Sequence, residues 1–220
     1  AAKWATHSWA PAIAHKTIDG KEKFFLYFAD GGSGIGVLEG DSPLGPWRDP
    51  LGKKLFPTTY PVEGVPWCFD PAVLVDSKGD GYIYFGGGIP GDDPAHGKTP
   101  TDDQKNNPNS ARVAKLAPDM IHVEEKDGKP MINKIDAPCM FEDSGIFEYN
   151  GKYYYSYCSN FMGPHYPGNP GFGNICYMVS DDPMGPFTYA GEIFSNPSVW
   201  FGTGGNNHHA TFVFEGKSYF

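Results

Sequence analysis

The chain has 220 residues, 40% hydrophobic and 20% charged, and its 17 Lys and Arg against 26 Asp and Glu leave a formal charge of -9. That balance argues against a nucleic-acid partner or an anionic membrane surface, both of which reward clustered basic charge. No apolar run approaches the roughly 20 residues of a membrane span, and the apolar fraction argues against wholesale disorder.

Aromatic residues make up 15% of the chain, beside 29 Gly and 21 Pro. Aromatic strands broken often by Gly and Pro turns suit an all-β protein. In chain order, Ser8-Trp9-Ala10-Pro11-Ala12-Ile13 leads through the turn IDGKEK to a strand FFLYFA at 24–29. Gly31-Gly32-Ser33-Gly34-Ile35-Gly36 is glycine-rich, but no helix follows to present a phosphate-binding N-terminus, so it reads as a strand connection. Asp41-Ser-Pro-Leu-Gly-Pro-Trp47 reads as a turn, with Arg48-Asp49-Pro50 behind it in an outer strand. Cys68-Phe69-Asp70-Pro71-Ala72-Val73 then leads through SKGDG to YIYFGG at 82–87, and a long loop fills 88–110. Phe141-Glu142-Asp143-Ser144-Gly145-Ile146 leads through YNGKY to YYYSYCSN at 153–160, and a second long loop fills 159–174. Asp181-Asp-Pro-Met-Gly-Pro-Phe187 repeats the earlier turn 140 residues on, and His208-His209-Ala210-Thr211-Phe212-Val213 leads through FEGKS to a terminal SYF.

Aligning Pro11, Pro71, Ser144 and Ala210 gives intervals of 60, 73 and 66 residues. A period in the sixties with about four strands per repeat is that of a β-propeller blade; the competing reading is a β-sandwich with chance similarity. Blade starts are expected near residues 8, 68, 141 and 207, all within one propeller domain, so the chain holds about three and a half blades. An unclosed ring leaves unpaired edges, and a longer protein or another segment is expected to complete it.

In a blade the innermost strand begins at one face, which it shares with the loop between strands two and three. That face is expected to collect Trp9, Asp70, Glu142, His208 and His209, with the loops 88–110 and 159–174. Trp9, Trp67, Phe69, Tyr166 and Trp200 rim it. Aromatic rings stack on apolar sugar faces, and paired carboxyl groups serve as acid and base at a glycosidic bond. The bland alternative makes Asp70 a turn cap before Pro71 and the aromatics inter-blade core. The four cysteines, Cys68, Cys139, Cys158 and Cys176, lack metal-binding spacing and read as buried thiols.

These residues resemble glycoside hydrolase family 43, five-bladed propeller enzymes acting on xylosides and arabinosides. The matching elements are Trp9-Ala10-Pro11, Phe69-Asp70-Pro71 followed by apolar residues and Asp76, the strand start at Glu142, Leu116 to Met120 (LAPDM), and the histidine before Thr211-Phe212. The resemblance implies an inverting hydrolase with Glu142 as general acid and Asp70 tuning its pKa and orienting substrate. Inversion needs acid and base roughly 6.5–9.5 Å apart to admit a water. The family's base is an Asp upstream of the W-A-P segment, a position before Ala1, so no residue here is assigned to it.

Asp143 follows Glu142 where the family often has a small residue, and strand alternation is expected to point it away from Glu142. Trp9, Trp67 and Phe69 on the rim are expected to contact substrate, and so is His208, which lies at the register of Glu142. His209 matches a histidine that in some relatives helps hold an axial calcium ion; its alternative is an axial hydrogen-bonding histidine. The expected ligand is a xylo- or arabino-oligosaccharide, cleaved at terminal β-D-xylosyl or α-L-arabinofuranosyl residues, with the long loops walling a pocket. An endo-arabinanase, a fructan-active or phosphorylase propeller and a non-catalytic glycan-binding propeller stand as alternatives. No signal region is visible; an extracellular or periplasmic location is expected.

Overall fold

Strand alternation decides how each aromatic run packs, and the computed structural model, which describes residues 1–215 and 217–219, gives each run the same place in its sheet. The first antiparallel sheet runs in order through β1 (Trp9–Ile18), β2 (Lys21–Ala29), β3 (Gly34–Gly40) and β4 (Phe56–Pro57). In the second, β5 (Ala72–Val75), β6 (Gly81–Gly86) and β7 (Ala111–Leu116) precede a small hairpin, β8 (Glu125–Lys126) with β9 (Lys129–Pro130). The outer strand β10 (Ile132–Ile135) then completes it. The third is β11 (Met140–Tyr149), β12 (Lys152–Ser159), β13 (Ile175–Ser180) and β14 (Thr188–Phe194). A last pair, β15 (Phe212–Phe214) and β16 (Lys217–Tyr219), begins the next sheet. Gly216 of the FEGKS turn and Phe220 of the terminal SYF lie outside the described residues.

These are three four-stranded propeller blades and the start of a fourth, with the three full aromatic runs as β2, β6 and β12. The strand β6 illustrates why both faces are apolar. Its Ile83 and Phe85 join a core with Phe25, Tyr27, Ile35 and Phe56 of the first blade. Its Tyr82 and Tyr84 point the other way into a core with Tyr153, Tyr155 and Tyr157 of the third. Each large side chain buried this way contributes about 1.5–3 kcal/mol, so the two interfaces flanking β6 hold the second blade to the first and the third.

A repeated hydrogen bond adds direction. The Tyr27 hydroxyl of β2 donates to the Met120 carbonyl in the outer turn of the second blade at 2.6 Å. The Tyr84 hydroxyl of β6 donates to the Pro183 carbonyl in the outer turn of the third at 2.7 Å. The two D-x-P-x-G-P turns also match in backbone: Gly45 and Gly185 have φ +85° and +81°, each before a cis proline. Arg48 lies outside, bound to Glu39 and Asp41, as its outer-strand position implies. All four cysteines are free and buried, and burial pushes the Cys68 and Cys139 thiols up to about 12. No helix among the described residues is long and apolar enough to cross a membrane.

Candidate active site

The inner strands open irregularly, and that irregularity builds the site. Ala10, Asp70 and Asp143, equivalent in the three blades, all have positive φ, at +38°, +47° and +66°. Asp tolerates this left-handed region better than most residues. In β11 the pairing register shifts on both sides of Glu142. A bulge of this kind re-aims side chains. It overturns the expectation that alternation separates the two neighbours: Glu142 and Asp143 both reach His208.

His208 sits among three buried carboxylates. Its Nε2 is 3.2 Å from Asp70 Oδ2 and 3.9 Å from Glu142 Oε2, and its Nδ1 is 3.4 Å from Asp143 Oδ1. Hydrogen bonds to Asp70 and then Glu142, with the charge of Asp143 behind them, push its pKa up to about 10. The imidazolium is therefore a cation at neutral pH. The Asp143 amide donates to Asp70 Oδ2 at 3.1 Å, which ties the second and third blades together at this point.

Asp143 also organises His209, accepting from its main-chain N–H at 3.0 Å and meeting its Nδ1. His209 Nε2 meets Ser156 Oγ at 2.6 Å. Gly145 permits this approach, since a Cβ there would lie 2.6 Å from His209 Nε2 and 2.4 Å from Ser156 Oγ.

A cleft of about 690 Å³ contains this cluster, lined by Trp9, Ala10, Gly32, Trp67, Phe69, Asp70, Glu142, Asn206 and His208. Trp9 and Trp67 are 48% and 42% exposed, as sugar platforms need, whereas Phe69 is only 3% exposed and stands edge-on beneath Trp67. Phe69 is thus a support for the Trp67 ring more than a contact surface. Asn206, which the sequence reading passed over in the run Gly204-Gly205-Asn206-Asn207-His208, donates to Glu142 Oε2 at 3.4 Å. Glu142 Oε1 is buried with no hydrogen-bond partner among the described residues, a state shared only with Ser110 Oγ. A buried carboxyl oxygen without a partner, on a residue in the wall of a cleft, calls for a ligand or an ordered water to satisfy it.

The long loops behave differently from expectation. No residue of 88–110 or 159–174 lines the cleft. The first loop contains a short helix, α1 (Asp102–Asn106), and its buried Asn106 clasps the second loop. The Asn106 side chain donates to the Pro164 carbonyl and accepts from Tyr166 N and Asn169 Nδ2. Tyr166 therefore belongs to this clasp. Trp200, in the short helix α2 (Ser198–Phe201), packs on Phe194 instead of rimming the cleft.

The axial space offers few side-chain ligands for the expected calcium ion. Calcium takes six to eight oxygen ligands, while the axial space is lined mainly by Pro, Ala, Val and Ile of the inner strands. Its polar side chains are Ser144, His209 and Thr211, without a carboxylate. Both ring nitrogens of His209 are also engaged. The described trio whose ligand atoms lie within 4.8 Å of one another is Asp70, Glu142 and His208.

The chain is similar over nearly its whole length to characterised proteins. It is 58% identical to the arabinoxylan arabinofuranohydrolase of Paenibacillus polymyxa, the match covering 99% of this chain and 32% of that protein. Against the arabinoxylan arabinofuranohydrolase of Bacillus subtilis the identity is 57%, covering 99% and 40%. The crystal structure of a Bacillus subtilis family 43 arabinoxylan arabinofuranohydrolase in complex with cellotetraose superposes with a TM-score of 0.90 at 56% identity, covering 99% of this chain and 42% of that one. A β-xylosidase/α-arabinofuranosidase from a compost metagenome, solved with xylotriose in a calcium-free form, gives 0.66 at 30% identity, covering 98% and 64%. The chain thus spans about a third to two fifths of the length of the two arabinofuranohydrolases. The profile of the glycosyl hydrolases family 43 matches residues 2–144, and the chain belongs to that family.

Proposed function

We propose that the protein is an inverting glycoside hydrolase that removes terminal α-L-arabinofuranosyl or β-D-xylosyl residues from xylan oligosaccharides. The observation that carries this reading is Glu142, a buried carboxyl group with one unpartnered oxygen in a cleft rimmed by two exposed tryptophans. The names of the two relatives at 58% and 57% identity favour the arabinofuranosyl side group of arabinoxylan. The described blades would form part of one five-bladed catalytic propeller, and a polymeric substrate suits an extracellular or periplasmic enzyme.

In this mechanism the terminal sugar stacks on Trp9 or Trp67, and Glu142 gives its proton to the glycosidic oxygen as the C1–O bond breaks. Water adds to C1 from the opposite face and loses its proton to a base, releasing a pentose of inverted configuration. Asp70 and Asp143 are poor choices for that base, since both are engaged by His208 and by main-chain N–H groups. Their role is positioning: they fix the His208 ring beside Glu142, and Asn206 fixes one oxygen of the acid. Any axial calcium would be held through water or through groups other than the His209 ring nitrogens.

The test is pentose release from arabinoxylan oligosaccharides by the full-length protein and its Glu142→Gln variant, with oligosaccharide affinity measured in parallel. The variant should lose about 10²–10⁴-fold in turnover while keeping its affinity. Intact binding without pentose release by the parent protein would assign a glycan-binding propeller instead.

A further inference from the structure

At the outer edges of the first two blades, away from the cleft, lies a pocket of about 430 Å³. That size falls within the roughly 300–1,000 Å³ of small-molecule sites. Tyr60, Arg112, Lys129 and Lys134 line it with the apolar Pro61 and Pro130, and no acidic side chain does, in a chain whose net charge is -9. Three strand elements bring the cations together. Arg112 on β7 stands directly opposite Lys134 on β10, and the β8–β9 hairpin adds the exposed Lys129.

Like charges directly opposed across a ladder repel. Their usual remedy, a carboxylate, is mostly missing. Arg112 is half-buried and, among the described residues, donates only to main-chain carbonyls, of Asn109, Ala111 and Glu63 at 2.7–2.9 Å. No carboxylate lies within ion-pair distance of it or of Lys129 among the described residues, and Lys134 reaches only the exposed Asp136, at 3.4 Å. Beside this charge Tyr60 is 69% exposed. A cationic pocket edged by a free aromatic ring fits a ligand with both a carboxylate and an apolar ring face.

We propose that this pocket is a second glycan site, which takes the hexuronate side groups of acidic xylan. The uronate carboxylate would meet Arg112, Lys129 and Lys134, and its pyranose face would lie on Tyr60. The choice of sugar rests on the xylan substrate proposed above; the anionic, ring-binding character of the pocket does not. An inorganic anion would leave the Tyr60 face unused.

The experiment titrates the full-length protein by calorimetry with xylotriose bearing one glucuronosyl group and with unsubstituted xylotetraose, at low and at physiological salt. Parallel titrations use sodium sulfate. The acidic oligosaccharide should bind about tenfold tighter than the neutral one, the step expected for one charge-assisted contact. Added salt should narrow the gap. Lys129→Glu and Tyr60→Ala, both at exposed positions, should each remove most of the preference without changing release of p-nitrophenol from a neutral pentoside. Equal affinity for the two oligosaccharides, preference surviving in the double variant, or sulfate competing as well as the uronate would overturn the proposal. Preference intact in a protein that releases no pentose would uphold this site and remove the catalytic reading.

Discussion

At the scale of single residues the site is organised around the charge on His208. The sequence repeat was enough to bring Asp70, Glu142 and His208 to one face, because each opens an inner strand. It could not reveal that Asp143 joins them. Period-two alternation assumes a regular strand, and the bulge at Glu142 with the left-handed Asp143 breaks that rule locally. Asn206 was equally hidden, since nothing in a Gly–Asn run marks which amide will face a carboxylate. The charge has a consequence for stability. The His208 pKa rises from 6.5 to about 10 in the folded protein, so the folded state holds this proton after the unfolded chain has released it. Its contribution is full below about pH 6.5 and is lost as pH rises through about 10. Denaturant unfolding of parent protein and His208→Gln should show a deficit in the variant at pH 6 that shrinks steadily towards pH 10. A deficit constant across that range would mean that the histidine contributes shape and no charge.

At the scale of elements the aromatic strands were the most legible part of the molecule. Runs such as Tyr82-Ile83-Tyr84-Phe85 alternate between two cores, so both faces must be apolar, and only a strand between two other sheets needs that. The loops were the least legible. Their length suggested walls for the cleft, yet Asn106 binds one loop to the other, a contact between residues about 60 apart that no local pattern encodes. The tyrosine links from one blade to the next give an element-level prediction. Removing the hydroxyl in Tyr27→Phe or Tyr84→Phe leaves a carbonyl acceptor unpaired beside a buried ring. Each change should cost about 1–3 kcal/mol in denaturant unfolding. The two should add within about 0.5 kcal/mol, because they share no partner. A cost near zero for both would mean that packing alone aligns the blades.

At the scale of the whole molecule, three blades and the opening of a fourth converge on one cleft, and a cationic pocket lies on the outer edge of an otherwise acidic protein. The overall likeness to arabinoxylan arabinofuranohydrolases favours the proposed substrate class, while Glu142 as the acid is what the family resemblance implies, and its buried place in the cleft wall supports it. That assignment is the central claim, and leaving-group dependence tests it most directly. The full-length protein and Glu142→Gln would be compared on a 2,4-dinitrophenyl α-L-arabinofuranoside, whose leaving group needs no proton, and on arabinoxylan oligosaccharide, whose leaving group does. The account predicts a loss of about 10²–10⁴-fold on the oligosaccharide and little change in bond cleavage on the activated glycoside. Equal losses on both substrates would contradict it, and would make Glu142 a residue that holds substrate without donating the proton.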